Sequence, residues 1–309
     1  MAGKKIKVVV GIDIGGTNTA IGLVDQRGKI LAKDSVPTRN FSEPKRFVKT
    51  VSEKICQLLF ANCQLVGIGV GAPNGNFFSG SIEFAPNLQW KGKVPLAKLF
   101  SEELKVKTLL TNDANAGALG EMIFGGAKGM KDFIFITLGT GLGSGIVVNG
   151  EMVYGHDGFA GEIGHTIVER DGRQCGCGRK GCLEQYCSAT GLVKTYNKLN
   201  KKSRVNSQES RIIYERAMKG ESAAITSFNY TGDLLGFALA NSVAYTRPEV
   251  IFLFGGLANA GKFIFNPTKK SFEKNLLRLW NNKIKILPSH LPEHDAAILG
   301  AASLIWKEN

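Results

Sequence analysis

The sequence predicts a mixed α/β protein of two domains, the second laid out on the plan of the first. "IKVVVGIDI" runs into a glycine turn and on into "TAIGLVD", a strand, a turn and a strand. The pattern restarts at "DFIFITLGTGLGSGIVVNGEMV", so that Ile12-Asp13-Ile14-Gly15-Gly16-Thr17 lies against Ile136-Thr137-Leu138-Gly139-Thr140-Gly141. A chain of 309 residues, 43% of them hydrophobic, can also bury two substantial cores. Two unrelated hairpins would share the same local pattern, so duplication rests on the whole plan.

Taken in order, the first two strands are followed by a turn at "QRG" and a third strand, "KILAKDSV", completing a meander of alternating and β-branched residues. A helix is expected over residues 44–60, with Phe47, Val48, Val51, Ile55, Leu58 and Leu59 on one face. "LVGIGVGAP" reads as a buried strand ending in a Gly/Pro loop, and "VKTLLTNDANAGALGE" as a strand entering a helix marked by Asn112 and Asp113. Helices are expected at 188–199, 207–219 and 222–245, then the strand "EVIFLFGG", another helix, the short strand "KIKILPS" and a final helix over roughly 295–304. The boundary is expected near residues 113–120. That gives a first domain of residues 1–115, completed by the C-terminal segment 295–309, and a second of residues 116–294.

Composition excludes several classes. No apolar run approaches the ~20 residues of a membrane span. "MAGKKIKVVVGIDIGG" fails as a secretory signal, because Asp13 interrupts it and no small-residue cleavage site follows. A cytoplasmic location is the expectation. Six cysteines are too few for a disulfide scaffold, and Cys56, Cys63 and Cys187 stand apart from the cluster formed by the others. The net charge of +13 is spread over pairs such as Lys4/Lys5, Lys201/Lys202, Lys269/Lys270 and Lys283/Lys285. Without one dense basic stripe, affinity for phosphorylated small molecules or a plain solvated surface is expected, not nucleic-acid binding.

Three constellations carry chemistry. In "DIGGTN", glycines let backbone N–H groups approach an anion, and Thr17 and Asn18 can add side-chain donors. Asp13 suits such a turn if a divalent cation, held through water, accompanies the phosphate. The second turn offers Thr137, Gly139, Thr140 and Gly141, and the pair reads as a clamp on two ends of a polyphosphate. "GLANAGKF" mimics a P-loop but puts Phe263 where the magnesium-binding hydroxyl belongs. Gly255 and Gly256 more plausibly let a nucleoside lie close to the backbone.

The second constellation is "HTIVERDGRQCGCGRKGCLEQ". His165, Cys175, Cys177 and Cys182 form a Cys₃His set suited to a closed, structural tetrahedral zinc, with Gly176, Gly178 and Gly181 allowing the tight loop. Such a zinc would anchor Glu162 and Glu184, which suit either acid/base work or hydroxyl binding. The third is "TNDAN": Asp113 could take a proton from a substrate hydroxyl or merely cap the helix. Together with the two turns, phosphoryl transfer to an alcohol is the economical reading.

"GIDIGGTNTAIGLVD", "APNLQW", "TNDANAGALGE", "TLGTGLGSG", "GEIGH" and "CGCGRKGCLEQYCSATG" together resemble the ROK family of sugar kinases and repressors over about residues 7–303. The resemblance implies the actin-like, hexokinase-type (ribonuclease H-like) duplicated α/β fold with a cleft between its domains. It implies Asp113 as catalytic base toward a sugar hydroxyl, and Asn87, Asn112, Glu162, His165 and Glu184 as sugar binders. It implies Asp13, Gly15, Gly16, Thr17, Thr137, Gly139, Thr140 and Gly141 around Mg²⁺ and ATP, and Gly255 and Gly256 beside the nucleoside. His165 would serve zinc through one ring nitrogen and sugar through the other.

The implied activity is ATP-dependent phosphorylation of a hexose, glucose first, by a homodimer. The alternatives are N-acetylglucosamine, N-acetylmannosamine, mannose or fructose. Asn74-Gly75-Asn76 departs from the glycine many members have directly after the proline, which bears on the choice of sugar. The repressors carry a DNA-reading segment before the first turn, whereas Asp13 here arrives almost at once, so an enzyme is expected. Intact Asp13, Asp113 and both turns argue against a catalytically dead sensor.

Overall fold

The computed structural model describes residues 5–201, 203–206 and 209–308; Lys4, Lys202 and Ser207, named above, lie outside them. The chain forms two compact units. The first comprises Met1–Met130, Met152–Ala160 and His290–Asn309, and the second Lys131–Glu151 and Gly161–Ser289.

The first unit contains β1 (Ile6–Ile14), β2 (Thr19–Val24), β3 (Ile30–Val36), α1 (Pro44–Leu58), β4 (Cys63–Gly71), β5 (Gly75–Asn76), β6 (Ser81–Glu83), β7 (Lys93–Val94), α2 (Leu96–Leu104), β8 (Thr108–Thr111) and α3 (Asp113–Ile123). Its main sheet has the order β3-β2-β1-β4-β8. β1 runs antiparallel to β2 and parallel to β4, and β4 parallel to β8. Alternation along β1 sorts its side chains. Val10, Ile12 and Ile14 join Phe47, Val48, Val51 and Ile55 of α1 in one core. On the opposite face the C-terminal helix, Ala296–Trp306, lies directly on the strands. A Cβ on Gly11 would stand 2.1 Å from the Ile298 carbonyl oxygen, and one on Gly69 1.8 Å from that of Ala301, so only glycine permits this packing. Asp13 has the parity of Val9 and Gly11.

The second unit contains β9 (Phe133–Leu138), β10 (Leu142–Val148), α4 (Glu184–Cys187), α5 (Ala189–Leu199), α6 (Ser210–Met218), α7 (Ser222–Thr246), β12 (Val250–Phe254), α8 (Lys262–Asn275) and β13 (Lys285–Pro288), with β11 (Glu151–Met152) at its edge. The order β11-β10-β9-β12-β13 repeats that of the first sheet, with β9 antiparallel to β10 and β12 parallel to both β9 and β13. The duplication read from the two glycine turns is therefore present in the strand order. Ile134, Ile136, Tyr196, Leu235, Leu239 and Phe272 centre this unit's core. Among the described residues, no helix is long and apolar enough to cross a membrane.

Beyond the elements expected from the sequence are α2, α4 and the small sheet β5-β6-β7, whose strands are only two or three residues long. α1 ends at Leu58 because Leu59 is already extended, at φ −70° and ψ 132°.

Candidate active site

In the first unit three strand ends meet. Gly71, the last residue of β4, pairs with Asp13 of β1 on one side and Thr111 of β8 on the other. A Cβ on Gly71 would lie 3.8 Å from Asp13 Oδ1 and 3.9 Å from the Asp113 Cα, so both acids flank this one glycine. β8 ends at Thr111, and Asn112 caps α3: its Oδ1 accepts the Asn115 N–H at 2.7 Å. The cap role considered for Asp113 is thus taken by its neighbour. Asp113 occupies the first helical turn, and its Oδ1 accepts the Ala114 N–H at 2.9 Å.

Both acids are poorly hydrated. Burial, and after it the Asp113 charge, pushes Asp13 up to about 6. The Asp113 side chain keeps solvent access, yet the protein around it withdraws enough water to raise its pKa too. Two acids flanking one glycine, both held above their ordinary range, are primed for a cation or a proton.

The first glycine turn follows β1. Gly15 N–H donates to the Asn18 carbonyl at 2.9 Å, and Thr17 and Asn18 are exposed. The loop bearing Asn87 packs against it: a Cβ on Gly16 would stand 2.7 Å from the Asn87 carbonyl oxygen. The first unit therefore brings Asp13, Gly15, Gly16, Thr17, Asn87, Asn112 and Asp113 together.

In the second unit the matching turn joins β9 and β10. Gly139 N–H donates to the Gly141 carbonyl at 3.1 Å, and Thr137 Oγ1 accepts the Gly143 N–H at 3.0 Å. Glu184 secures the turn from outside: its Oε2 accepts the Leu142 N–H at 3.1 Å. A Cβ on Gly141 would stand 2.4 Å from that oxygen. Ala189 N–H donates to the Gly139 carbonyl at 2.8 Å, and the Thr190 hydroxyl donates to that of Thr140. Ala189 and Thr190 add to the residues expected from the sequence; the signal for them is the helix cap in "CSATG", where Ser188 Oγ accepts the Gly191 N–H. Gly255 follows β12 at φ +99°, and its Cβ would meet the Leu138 carbonyl oxygen at 2.8 Å. Gly255 and Gly256 therefore sit at the same sheet end as Thr137 and Gly139.

The cysteine loop starts from a short 3₁₀ turn, Ile163–His165, seated on β10 because a Cβ on Gly164 would stand 2.2 Å from the Leu142 carbonyl oxygen. His165 Nδ1 lies 3.8 Å from Cys175 Sγ, and Cys177 Sγ 3.6 Å from Cys182 Sγ. All four ligand atoms fall within 4.8 Å of one another. A tetrahedron with Zn–S bonds of about 2.3 Å has edges of about 3.8 Å, so the set fits zinc. Gly178 and Gly181, at φ +88° and +78°, give the loop its two reversals. The Arg179 backbone N–H holds the Cys177 thiol down to about 6, and burial pushes Cys182 up to about 12. Arg179 itself donates to the His165 carbonyl at 2.7 Å. Glu162 is exposed immediately before the turn, and Glu184 stands two residues after Cys182.

Residues 9–308 match the ROK family along nearly the whole chain. The chain belongs to the ROK family. It is 31% identical to a glucokinase of Thermotoga maritima over 312 residues, covering 97% of this chain and 98% of the relative. A solved ROK glucokinase from Streptomyces griseus, in complex with glucose and AMPPNP, superposes with a TM-score of 0.78 at 32% identity, covering 96% of this chain and 98% of that one. A xylose repressor of Bacillus spizizenii is 28% identical over 305 residues, which are 98% of this chain and 78% of the repressor. The ROK likeness fixes the expected fold as the actin-like sugar kinase fold.

Proposed function

We propose that this ROK chain is an ATP-dependent glucokinase, converting glucose and ATP into glucose 6-phosphate, ADP and a proton. The observation that carries the reading is the placement of Asp113: Asn112 caps the helix, and Asp113 stands across Gly71 from Asp13, the residue that leads into the first glycine turn. The glucokinases from Thermotoga maritima and Streptomyces griseus support the same activity.

In this reading Asp113 accepts the proton of the 6-hydroxyl as that oxygen attacks the γ-phosphorus. The bond from phosphorus to the bridging oxygen breaks, and its electron pair leaves with ADP. Backbone N–H groups around Gly15, Gly16, Thr17, Gly139, Thr140 and Gly141 hold phosphate oxygens, helped by Thr137, and Gly255 and Gly256 flank the nucleoside. Asp13 would hold Mg²⁺ through water, the ion supplying neutralisation of charge on the transferring phosphoryl group. The raised pKa of Asp13 fits a carboxylate built to face a cation.

Asn87, Asn112, Glu162, His165 and Glu184 are assigned to the sugar hydroxyls. His165, Cys175, Cys177 and Cys182 would hold a structural zinc, and since Nδ1 faces the thiols, Nε2 is left for the sugar. Six free cysteines, three of them in a cluster that binds metal only as thiolates, support a reducing, cytoplasmic setting. A homodimer rests on the family resemblance.

The test is a coupled ADP-release assay with Mg-ATP across glucose, N-acetylglucosamine, N-acetylmannosamine, mannose and fructose. A kcat/KM for glucose at least about tenfold above the others supports the reading. Turnover of an amino sugar alone keeps the kinase and changes its substrate, and no turnover of any sugar by folded protein overturns the enzyme.

A further inference from the structure

The Asn74-Gly75-Asn76 departure has a structural role. Asn76 is a buried amide, 4% exposed, with both ends engaged. Its Oδ1 accepts the N–H groups of Phe78 and Ser79, each at 3.1 Å, which closes the local turn. Its Nδ2 donates to the Asp157 carbonyl at 2.6 Å, across 81 residues of sequence. Asp157 lies in Met152–Ala160, a stretch that belongs by its packing to the first unit although the chain on both sides belongs to the second. That stretch closes on itself through Ala160 N–H and the Tyr154 carbonyl, at 3.1 Å. Tyr154 stacks on Phe77 with ring centres 4.3 Å apart and planes 4° from parallel. Gly158, at φ +93°, presses directly on the Asn76 amide, where a Cβ would come within 2.7 Å of its oxygen.

The next residues are Gly161, at φ +91°, and then Glu162 to His165. We infer that Asn76 is a positioning residue for sugar binding: by pinning the loop at 154–160 it fixes where the chain enters the Glu162–His165 segment. This rests on the assignment of Glu162 and His165 to the sugar. Its oxygen is spent on Phe78 and Ser79 and one of its N–H groups on Asp157, so the work assigned to this amide is to hold the turn and the loop. Its substitution should therefore move sugar affinity through the loop and leave the proton transfer at Asp113 alone.

Asn76→Asp separates the two jobs. It keeps an oxygen for the Phe78 and Ser79 N–H groups, so the local turn survives, and sets a second oxygen against the Asp157 carbonyl. The expected result is a glucose KM raised about tenfold with kcat and the ATP KM within about twofold. Amide exchange of residues 152–161, followed by mass spectrometry, should quicken in the same variant. Gly158→Ala attacks the same contact from the other side and should shift both readouts likewise. An unchanged glucose KM despite faster exchange removes the positioning role, and so does a loss shared equally by kcat and both KM values. A wild-type chain that neither binds nor phosphorylates any of the five sugars removes the underlying sugar assignment first, whereas a competent wild type with an indifferent Asn76→Asp variant removes this inference alone.

Discussion

Replacing Asp113 by asparagine tests the chemistry with little disturbance of the fold. The side chain is exposed, α3 is capped by Asn112, and an amide oxygen can still accept the Ala114 N–H. Stability should therefore not fall, and in magnesium-free buffer at neutral pH it should rise, because the substitution removes a carboxylate that burial holds above its ordinary range and that repels Asp13. Catalysis should fall. Loss of a positioned general base costs about 10²–10⁴ in rate, which at about 1.36 kcal/mol per decade is about 3–5 kcal/mol of transition-state stabilisation. Because Asp113 also raises Asp13 by its charge, the variant relieves that repulsion, and Asp13 should titrate lower than in wild type. The assay is ADP release at saturating ATP and glucose, with glucose affinity measured separately by calorimetry. The expected outcome is a kcat down by two to four decades with glucose affinity within about threefold. Turnover retained within about tenfold, in a variant whose Tm is no lower than wild type, would refute Asp113 as the base.

Asp13 predicts a pH signature. The folded carboxylate titrates at about 6 and its unfolded counterpart near 3.8, so between these values the folded chain holds a proton that the unfolded chain has released. Through this group stability falls as pH rises from about 4 to about 6 and stays lower above. In magnesium-free buffer Asp13→Asn should therefore have a higher Tm than wild type at pH 7.5, the gap closing toward pH 4; a gap that does not vary with pH contradicts the raised pKa. Cys177→Ser should lose stoichiometric zinc in elemental analysis and bind glucose less tightly, since Glu162, His165 and Glu184 share that anchor; full glucose affinity in zinc-free protein would disprove the link. Gly69→Ala forces a methyl onto the Ala301 carbonyl oxygen and should destabilise by about 1–3 kcal/mol or more in denaturant unfolding, leaving the KM values of surviving enzyme unchanged.

What sequence could and could not convey follows from range. Val8 to Ile14 and Phe133 to Leu138 are legible because strand periodicity and the glycines after them are local signals. The convergence of Cys175, Cys177 and Cys182 is legible because short spacings with glycine between them leave the thiols few other places to go. Between Asn112 and Asp113 the sequence is ambiguous, since both are good caps and only the geometry shows which side chain turns back to Asn115. β5, β6 and β7 are set by tertiary packing and are too short to show a period. The hold of Glu184 on Leu142 spans 42 residues, and that of Asn76 on Asp157 spans 81, so no local pattern encodes either.

The Glu184 contact has a thermodynamic corollary. One carboxylate stands two residues from a thiolate ligand and at the same time holds the backbone at the base of the second glycine turn. If zinc fills the cluster and nucleotide fills that turn, as proposed, their binding draws on one shared degree of order, and coupling of that kind is reciprocal. Whatever metal occupancy contributes to nucleotide affinity, nucleotide returns to metal affinity in equal measure. The equilibrium affinity of the Cys₃His cluster for zinc thus becomes a test of whether the second glycine turn is filled.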